Sequence, residues 1–538
     1  MTSAERRLPV PAADATPTSN AAPAGDAAST RDAAGAANPA AHLVDRLGPT
    51  LFERSRPGRG GGKVPHPPKD ALARIPASLL RADGPRLPEI SEPEMTRHFV
   101  NLSHLNYSVD SGFYPLGSCT MKYNPKINEW AARLPGFAAL HPLAPDDLAQ
   151  GTLQLLWELE QALAEIGGMK AVTLQPAAGA QGELTGILMI RAYHRSRGDV
   201  ERTEVLVPDS AHGTNPATAS MAGFKTISIP SAPDGGVDVD LFRAALGPRT
   251  AAVMITNPST LGLFEARLGE LLAAVHSAGA LAYMDGANLN AIMGRFKPGE
   301  AGFDVMHINV HKTFSTPHGG GGPGAGPVGV GEKLLPFLPS PRVLRVPDGR
   351  FRLEAEGERA TSIGRVRAFV GNSGVLVRAY AYIRAHGATG LCEVSDDAVL
   401  AANYLKARLR HVLDVPFDRP CMHEFVASSA TLKAQTGIRT LDVAKRLIDY
   451  GFHPPTIYFP LTVDEALLIE PTETESIETL DSFATVLECI VEEARTHPEL
   501  LHSAPHDSPV RRLDETMAAR QPNLRWRAMT GSQTPCPD

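Results

Sequence analysis

Four groups that could do chemistry follow one another within about 135 residues, each beside a short apolar run or a glycine-containing turn. They are the small-residue loop Gly179–Gln181, His212, Asp285 and Lys312. A partly desolvated lysine can lose its proton and form a Schiff base with an aldehyde. Backbone N–H groups at a helix N-terminus bind anions, a flat imidazole can stack on a ring, and a carboxylate can keep a ring nitrogen protonated. Pyridoxal phosphate (PLP) requires this set of groups.

Three of these four groups, taken alone, also have an ordinary structural explanation. The loop could be a simple glycine turn, His212 a surface or capping residue, and Asp285 part of an Asp-Gly turn. Their combination in one order supports the cofactor hypothesis. In "HKTFSTPHGGGGPG", Gly319–Gly322 and Gly324 would let the backbone pass close to a cofactor or substrate where a Cβ would clash.

The elements that must position these groups follow an alternating pattern. Short apolar runs recur in "TEVLVPDSAHG", "TAAVMITNPS", "GALAYMDGAN" and "FDVMHINVHK", with a helical pattern at 264–278 between two of them. This alternation predicts an α/β fold with a mainly parallel sheet covered by helices. Ligands of such sheets lie beyond the carboxyl ends of the strands, and we expect Lys312 to end its strand. Upstream, "GTLQLLWELEQALAEIGG" predicts a helix that ends at Gly167 and Gly168.

Three other functions fit these residues less well. "GAGPVG" at 324–329 matches the dinucleotide fingerprint, but Pro323 and Pro327 interrupt the helix that the motif should open. His307 and His311 have metal-ligand spacing on a helix, but on the predicted strand they would lie about 13 Å apart. We therefore expect no metal. A non-catalytic scaffold would leave the placement of Asp285 and Lys312 unexplained.

Composition narrows the class of protein. The 538 residues are 43% hydrophobic, carry a formal net charge of -7 and contain no long basic run, so a nucleic-acid partner is not expected. No apolar run approaches the roughly 20 residues that cross a bilayer. The five cysteines are widely spaced and form no Cys-x-x-Cys pair, which indicates a reducing compartment. The first 45 or so residues suit neither a signal nor a transit peptide, so we expect a cytoplasmic protein.

Several long strings resemble one enzyme family. They are "LGSCTMKYNPK", "AHGTNPATASMAGF", "MDGANLNAIMG", "NVHKTFSTPHGGGGPG", "CMHEFV" and "DYGFHPPTIYFP" with "IEPTETES". Together they resemble the PLP subunit of glycine dehydrogenase (decarboxylating), the P-protein of the glycine cleavage system, from about residue 70 to 500. Because the chain is about half the length of a single-chain P-protein, it looks like subunit 2 of the split form. The resemblance then implies a separate subunit 1 and a heterotetramer of two subunit types.

The resemblance also implies a fold, a reaction and roles for individual residues. It implies a fold type I PLP-dependent transferase that decarboxylates glycine and transfers the aminomethyl group to the lipoyl arm of H-protein. The implied catalytic residues are Lys312, His212 and Asp285, and the implied cofactor-binding residues add Gly179, Ala180, Gln181, Asn288 and His311. Ser118, Cys119, Thr120 and Lys122 would reach the glycine or lipoyl side of the site. His311 and His318 could stack, move protons or only pack, and Cys119 could instead be a buried structural residue.

The predicted domain organisation has five parts. They are a disordered tail at 1–60, an arm carrying "GSCTMK" at 61–149, a PLP-binding large domain at 150–385, a smaller C-terminal α/β domain at 386–500 and a variable tail at 501–538. We expect "MHEFV" and "FHPPTIYFP" to belong to the small domain, without a chemical role. The alternative function is another fold type I PLP enzyme, an aminotransferase or amino-acid decarboxylase, which would keep Lys312 and Asp285 but need no lipoyl partner.

Overall fold

The computed structural model describes residues 48–60, 68, 70–141, 144–319 and 324–524. Most of the predicted N-terminal tail, the glycines at 320–322 and the chain after 524 therefore lie outside the described residues. Within the described part of the predicted tail, a short helix α1 spans Leu51–Arg54. No helix among the described residues is long and apolar enough to cross a membrane.

A seven-stranded sheet forms the centre of the fold. Its strands β1 to β7 are Ala171–Thr173, Glu204–Pro208, Lys225–Ile229, Thr250–Thr256, Leu281–Gly286, Val305–Ile308 and Val328–Val330. Their order across the sheet is β1-β7-β6-β5-β4-β2-β3. Within this sheet, β7 runs antiparallel to both of its neighbours, and β6, β5, β4, β2 and β3 pair in parallel. The prediction of a mainly parallel α/β sheet is confirmed.

Helices cover both faces of this sheet, which explains the continuous apolar runs of its strands. The helices that precede the sheet or alternate with its strands in the sequence are α2 (Glu92–Ser103), α3 (Lys126–Ala132), α4 (Pro135–Ala138), α5 (Gln150–Gly167), α6 (Gly179–Ser196), α7 (Thr214–Met221), α8 (Val239–Ala245), α9 (Leu268–Ser277), α10 (Pro298–Ala301) and α11 (Val310–Thr313). In β4, Val253 and Ile255 join a core that contains residues of α5 and α9. The alternate residues Ala252 and Met254 join a second core with residues of α6 and α7.

The predicted helix before the sheet is confirmed as α5. Leu153, Leu156 and Leu163 are buried on one face of it, as the 3.6-residue spacing predicts. The helix stops at Gly168, whose φ of 65° lies in the left-handed region that glycine adopts without a Cβ penalty.

A smaller unit follows the long helix α12 (Ser373–Leu409), which is interrupted by non-helical backbone at Gly387. Before α12, strands β8 (Val343–Arg345) and β9 (Phe351–Leu353) form a hairpin that follows β7 in the sequence. Strands β10 (Phe425–Ser428), β11 (Thr456–Ile457) and β12 (Ala466–Ile469) form an antiparallel sheet in the order β10-β12-β11. The accompanying helices are α13 (Ala430–Thr436), α14 (Thr440–Asp449), α15 (Ile477–Thr496), α16 (Pro498–Ser503) and α17 (Glu515–Arg520). Helix α12 runs across the predicted domain boundary at 385, and that boundary stays a prediction.

Candidate active site

The N-terminus of α6 is the first strand-end group, and it presents backbone N–H groups. The helix begins at Gly179 after the extended residue Ala178, and no side chain among the described residues caps its first turn. The side chain of Gln181 is used elsewhere, because its Oε1 accepts from Ala177 N at 2.7 Å and its Nε2 donates to Val366 O at 2.6 Å. The backbone at 179–181, rather than the Gln181 side chain, is therefore available to an anion.

Two glycines let the chain approach this terminus closely. A Cβ on Gly179 would lie 2.3 Å from Oδ1 of Asn309, and a Cβ on Gly326 would lie 2.1 Å from the carbonyl oxygen of Ala178. Both distances are far below van der Waals contact. The segment before β7 and the residue after β6 can pack against the start of α6 only because these side chains are absent.

Asp285, near the carboxyl end of β5, lies in a buried polar network. Its Oδ2 accepts from Asn215 Nδ2 at 3.0 Å and its Oδ1 accepts from Ala287 N at 3.0 Å. Nε2 of His307 lies 3.3 Å from Oδ1, and Nδ1 of His307 lies 2.8 Å from the Tyr283 hydroxyl. Burial raises the pKa of Asp285, but the charge of His307 and the two hydrogen bonds outweigh it and lower the pKa below its ordinary value. The carboxylate is held ionised.

His212 follows β2 and is exposed. Its Nδ1 lies 3.0 Å from the Thr214 hydroxyl, which donates to Glu183 Oε1 at 2.7 Å. The ring centroid of Phe459 from the small unit is 6.0 Å away in an edge-to-face arrangement. The imidazole is thus tied to the acid network at one nitrogen, while its faces are accessible for stacking.

Lys312 does not end its strand, so that part of the sequence prediction is wrong. Strand β6 ends at Ile308, and Lys312 lies four residues later in the helical turn α11. The backbone turns after Asn309 because the N–H groups of Lys312 and Thr313 both bond to its carbonyl at 3.0 Å. Nζ of Lys312 donates to the carbonyl of Ser118 at 2.7 Å. The amine therefore projects from a turn toward the arm that carries "GSCTMK".

The arm brings its predicted site residues together with Lys312. Ser118 supplies the carbonyl acceptor, and the half-buried Cys119 is close enough for the charge of Lys312 to lower its pKa, although burial raises that pKa overall. Lys122 is 2% exposed, and its Nζ donates to Glu473 at 2.6 Å and to the Thr313 carbonyl at 3.1 Å. In this structure Lys122 braces the turn that holds Lys312, and its contact with a substrate stays a prediction.

Acidic residues of the small unit also reach this centre, and the sequence reasoning assigned them no chemistry. Glu424 accepts from Ser118 N at 2.6 Å, and Glu470 accepts from Thr120 N at 3.0 Å and from the Thr120 hydroxyl at 2.6 Å. Both carboxyl groups are completely buried. Their signal in the sequence is an acid beside an apolar strand, in "HEFV" and "LLIEP", where a charge without a partner is costly.

The remaining predicted residues lie around the same centre. Asn288 is buried and donates from Nδ2 to the Pro258 carbonyl at 3.0 Å, so it joins the ends of β4 and β5. His311 and His318 flank Lys312 with ring centroids 5.0 Å apart. Burial, followed by the charges of neighbouring groups, lowers the pKa of His311 to about 3 and that of His318 to about 4. Both imidazoles are neutral near pH 7, and their direct roles stay predictions.

The residues present fit PLP. The uncapped start of α6 matches a phosphate, the ionised Asp285 matches a protonated ring nitrogen, and the accessible ring of His212 matches a flat heterocycle. Buried polar atoms near Lys312 lack hydrogen-bond partners among the described residues, including His311 Nδ1 and Asn309 Oδ1. These atoms leave hydrogen-bonding capacity that a bound ligand would satisfy.

Comparisons with known proteins identify the family. A family model described as glycine dehydrogenase, C-terminal domain, matches residues 394–510. The probable glycine dehydrogenase (decarboxylating) subunit 2 of Halalkalibacterium halodurans is 56% identical over 485 residues, which cover 89% of this chain and 98% of the relative. The protein of the same name from Thermotoga maritima is 55% identical over 478 residues, with 89% and 100% coverage. The chain belongs to the glycine dehydrogenase (decarboxylating) subunit 2 family. The predicted family and enzyme class are confirmed.

Solved structures agree on the fold. The crystal structure of a glycine decarboxylase (P-protein) of the glycine cleavage system, in inhibitor-bound form, has a TM-score of 0.66 at 24% identity and covers 78% of this chain and 94% of its own. A C-DES mutant with glycine covalently linked to its PLP cofactor has a TM-score of 0.54 at 14% identity, with 70% and 96% coverage. The predicted fold type I architecture of this glycine dehydrogenase subunit is confirmed. Membership of its family favours this enzyme over the alternative aminotransferase or amino-acid decarboxylase.

Proposed function

We propose that this chain is the PLP-binding subunit of a glycine cleavage P-protein, which decarboxylates glycine and transfers the aminomethyl group to the lipoyl arm of H-protein. The observation that carries the proposal is that a carboxylate and an amine lie near the carboxyl ends of two neighbouring strands. An ionised, buried Asp285 lies near the carboxyl end of β5, and the amine of Lys312, held by the Ser118 carbonyl, follows β6. The high identity to subunit 2 relatives supports the choice of glycine as substrate.

PLP, when bound, supplies a ring that accepts the electrons released as the carboxylate of glycine leaves as carbon dioxide. The N–H groups at 179–181 would hold its phosphate, Lys312 its aldehyde carbon and His212 the face of its ring. Asp285 would keep a proton on the ring nitrogen, because its own lowered pKa leaves it ionised at neutral pH. Asn215 and His307 orient that carboxylate from two sides.

The transfer step needs a partner with a disulfide. The aminomethyl carbon would form a bond to one lipoyl sulfur while the other leaves as a thiolate, so that the disulfide is reduced as glycine is decarboxylated. The four described cysteines of this chain, Cys119, Cys392, Cys421 and Cys489, are free thiols. This supports placing the disulfide on the partner protein, and it also supports the cytoplasm as the compartment.

A second partner is subunit 1. The relatives of this chain are named subunit 2, and they are matched over 96% or more of their length. We propose that this chain pairs with subunit 1 and that two such pairs form a heterotetramer. Mass measurement of the co-expressed subunits tests this assembly.

Lys312→Ala tests the proposed function, with Lys225→Ala as the matched control because Lys225 is exposed on β3. Each protein, with subunit 1 present, receives PLP, has its visible spectrum recorded and is then reduced with borohydride before peptide mapping. We expect the unsubstituted protein and Lys225→Ala to become yellow and to carry the label on Lys312, and Lys312→Ala to do neither. Failure of the unsubstituted protein to take up PLP, or a label on another lysine, would contradict the proposal.

The reaction is tested separately from cofactor binding. With glycine labelled in its carboxyl carbon, we expect release of labelled carbon dioxide that depends on lipoylated H-protein and is lost in Lys312→Ala. Release of labelled carbon dioxide at the same rate without H-protein would favour an ordinary amino-acid decarboxylase.

A further inference from the structure

Two buried carboxyl groups from different strands of the small sheet meet beside the reactive lysine. Glu424 directly precedes β10 and Glu470 directly follows β12, and the two strands pair antiparallel, which brings these residues together. Both side chains are fully buried, and Glu424, Glu470 and His423 have ligand atoms within 4.8 Å of one another. Charged groups are rarely buried this completely unless other groups pair with them.

Both carboxyl groups hold the same turn of the arm. Ser118 and Thr120 have φ values of 66° and 47°, a left-handed conformation that L-residues adopt only when their surroundings enforce it. Glu424 accepts from the N–H of Ser118, and Glu470 accepts from both the N–H and the hydroxyl of Thr120. Three of the four carboxyl oxygens are therefore used to hold this turn.

The turn in its enforced shape directs one carbonyl at the reactive amine. Ser118 donates its N–H to Glu424 and accepts from Nζ of Lys312 through its carbonyl at 2.7 Å. The segment before the turn is fixed as well, because Gly117 N bonds to the Leu468 carbonyl at 3.2 Å. Ser118 thus links the small sheet to the amine by hydrogen bonds.

The protonation of Glu424 and Glu470 decides how much negative charge lies beside Lys312. Burial and the charge of its neighbour raise the pKa of Glu424 well above its ordinary value, and burial raises that of Glu470 to about 7. Other titratable groups facing the pair are Lys312, Lys122 and Cys119, and His423, whose pKa burial lowers to about 3. Glu470 accepts two hydrogen bonds, as an anion does, whereas Oε1 of Glu424 has no partner among the described residues and lies 3.5 Å from Nε2 of His423.

We propose that Glu424 and Glu470 are positioning residues that share one proton, with Glu424 neutral and Glu470 ionised, and that together they fix the Ser118–Thr120 turn and the charge beside the Lys312 amine. Above about pH 7, where Glu470 ionises, Lys312 then faces one nearby negative charge rather than two. A doubly ionised pair would bind the ammonium too firmly for the amine to react, and a doubly neutral pair would release the turn at Thr120. The catalytic meaning of this pair rests on the proposed function, but the charge arrangement does not.

The test measures how readily the amine of Lys312 is acetylated in the absence of cofactor. The apoprotein is acetylated with a small amount of acetic anhydride across a pH series, and mass spectrometry quantifies the label on Lys312 relative to the exposed Lys225. Glu424→Gln and Glu470→Gln are compared with Glu465→Gln as the matched control. Glu465 is another buried carboxylate of the same unit, but it pairs with Lys433 and Thr440 rather than with the arm.

Above about pH 7, where Glu470 is ionised, we expect Glu470→Gln to increase the labelling of Lys312 roughly tenfold, because the neighbouring negative charge that stabilises the ammonium is lost. Glu424→Gln replaces a neutral carboxyl by a neutral amide and should leave the labelling of Lys312 within about twofold of the unsubstituted protein, as should Glu465→Gln. Glu424→Ala removes the acceptor of the Ser118 N–H and should raise the labelling of Lys312 at every pH, an effect that Glu424→Gln should not show.

Equal increases in Lys312 labelling in Glu424→Gln and Glu470→Gln, no increase in Glu470→Gln, or an equal increase in Glu465→Gln would overturn the proposal. The unsubstituted protein provides a second measurement if a variant does not fold. Its Lys312 labelling curve should show an extra inflection near pH 7, where Glu470 titrates, and the Lys225 curve should not. A Lys312 curve without that inflection also overturns the proposal. Since no cofactor or glycine is present, its failure is distinct from a failure of the proposed function.

Discussion

Two neighbouring buried acids of the candidate site, Glu183 and Asp285, have pKa values shifted in opposite directions. Glu183 lies beside Asp285, and Asn215 donates to both carboxylates, at 2.8 and 3.0 Å. Burial and the charge of Asp285 raise the pKa of Glu183, whereas His307 and hydrogen bonds keep that of Asp285 low despite its burial. When this pair takes up one proton, Glu183 is the residue that receives it. Asp285 therefore keeps the negative charge that a protonated ring nitrogen requires.

Asp285→Asn removes this charge and nearly preserves the shape of the side chain. We expect turnover of glycine to fall roughly 100-fold, the usual scale for the loss of one preorganised electrostatic contact. The matched variant Glu183→Gln should lose less than about tenfold, because it replaces the group that already binds the proton. Release of carbon dioxide from glycine measures both. A larger loss in Glu183→Gln than in Asp285→Asn would show that Glu183, rather than Asp285, carries the negative charge.

At the scale of elements, the start of α6 depends on glycine where two backbone segments cross. The segment before β7 passes Ala178 so closely that Gly326 has no room for a Cβ. The same segment contributes the carbonyl of Gly324, which accepts a hydrogen bond from Asn372 at the start of α12. The end of the sheet at which we propose that phosphate binds is therefore built from β1, α6 and β7, the strand that lies between β1 and β6 and runs antiparallel to both.

Gly326→Ala tests this crossing. The added methyl would overlap the Ala178 carbonyl, so the backbone at the start of α6 must shift, at a cost of about 1–3 kcal/mol in the free energy of unfolding. We expect affinity for PLP to fall at least tenfold. Gly269→Ala, at an exposed position of α9 with no atom within 4 Å of the new Cβ, is the control. It should be neutral or stabilising by up to about 1 kcal/mol, since alanine favours a helix.

Absorbance titration with PLP and chemical unfolding measure the two effects of Gly326→Ala. If its affinity for PLP matches that of Gly269→Ala, the anion is bound somewhere other than the start of α6.

At the scale of the whole molecule, Lys122 connects the arm, the large domain and the small unit. Its ammonium group bonds to the Thr313 carbonyl beside Lys312 and to Glu473 after β12, and it lies 5.4 Å from the centre of the Tyr382 ring on α12. Burial lowers the pKa of Lys122, but the charge of Glu473 outweighs it and the pKa is raised overall. Lys122 therefore stays charged within the fold.

Lys122→Ala should be strongly destabilising, because the side chain of Glu473 is only 8% exposed and loses its cationic partner. Removing one partner of a buried pair costs roughly 3–5 kcal/mol. Lys126→Ala is the control on the same arm, since Lys126 and its partner Asp110 are 57% and 55% exposed and such surface pairs contribute little. Urea unfolding of both variants measures the difference. Similar midpoints for the two variants would mean that the ion pair of Lys122 does not connect the domains.

The sequence alone determined the local features of this protein. The alternation of strands and helices, the mainly parallel sheet, the helix that ends at Gly168 and the helix that begins at Gly179 could all be predicted, because apolar periodicity and turn chemistry depend on near neighbours. The prediction that Lys312 ends its strand was wrong. A one-turn helix after a short strand has no periodicity that separates it from the strand itself.

Only the tertiary structure decided how the arm and the small unit complete the site. The bond from Lys312 to Ser118 spans 194 residues, and the bond from Ser118 to Glu424 spans 306. No local pattern encodes such contacts, since they arise when separate elements pack together. Burial raises the pKa of Glu424 and Glu470, whereas His307 and Asn215, which are distant in the sequence, keep that of Asp285 low despite its burial. The residue types at the site were therefore readable from the sequence, but their partners and charges depended on the fold.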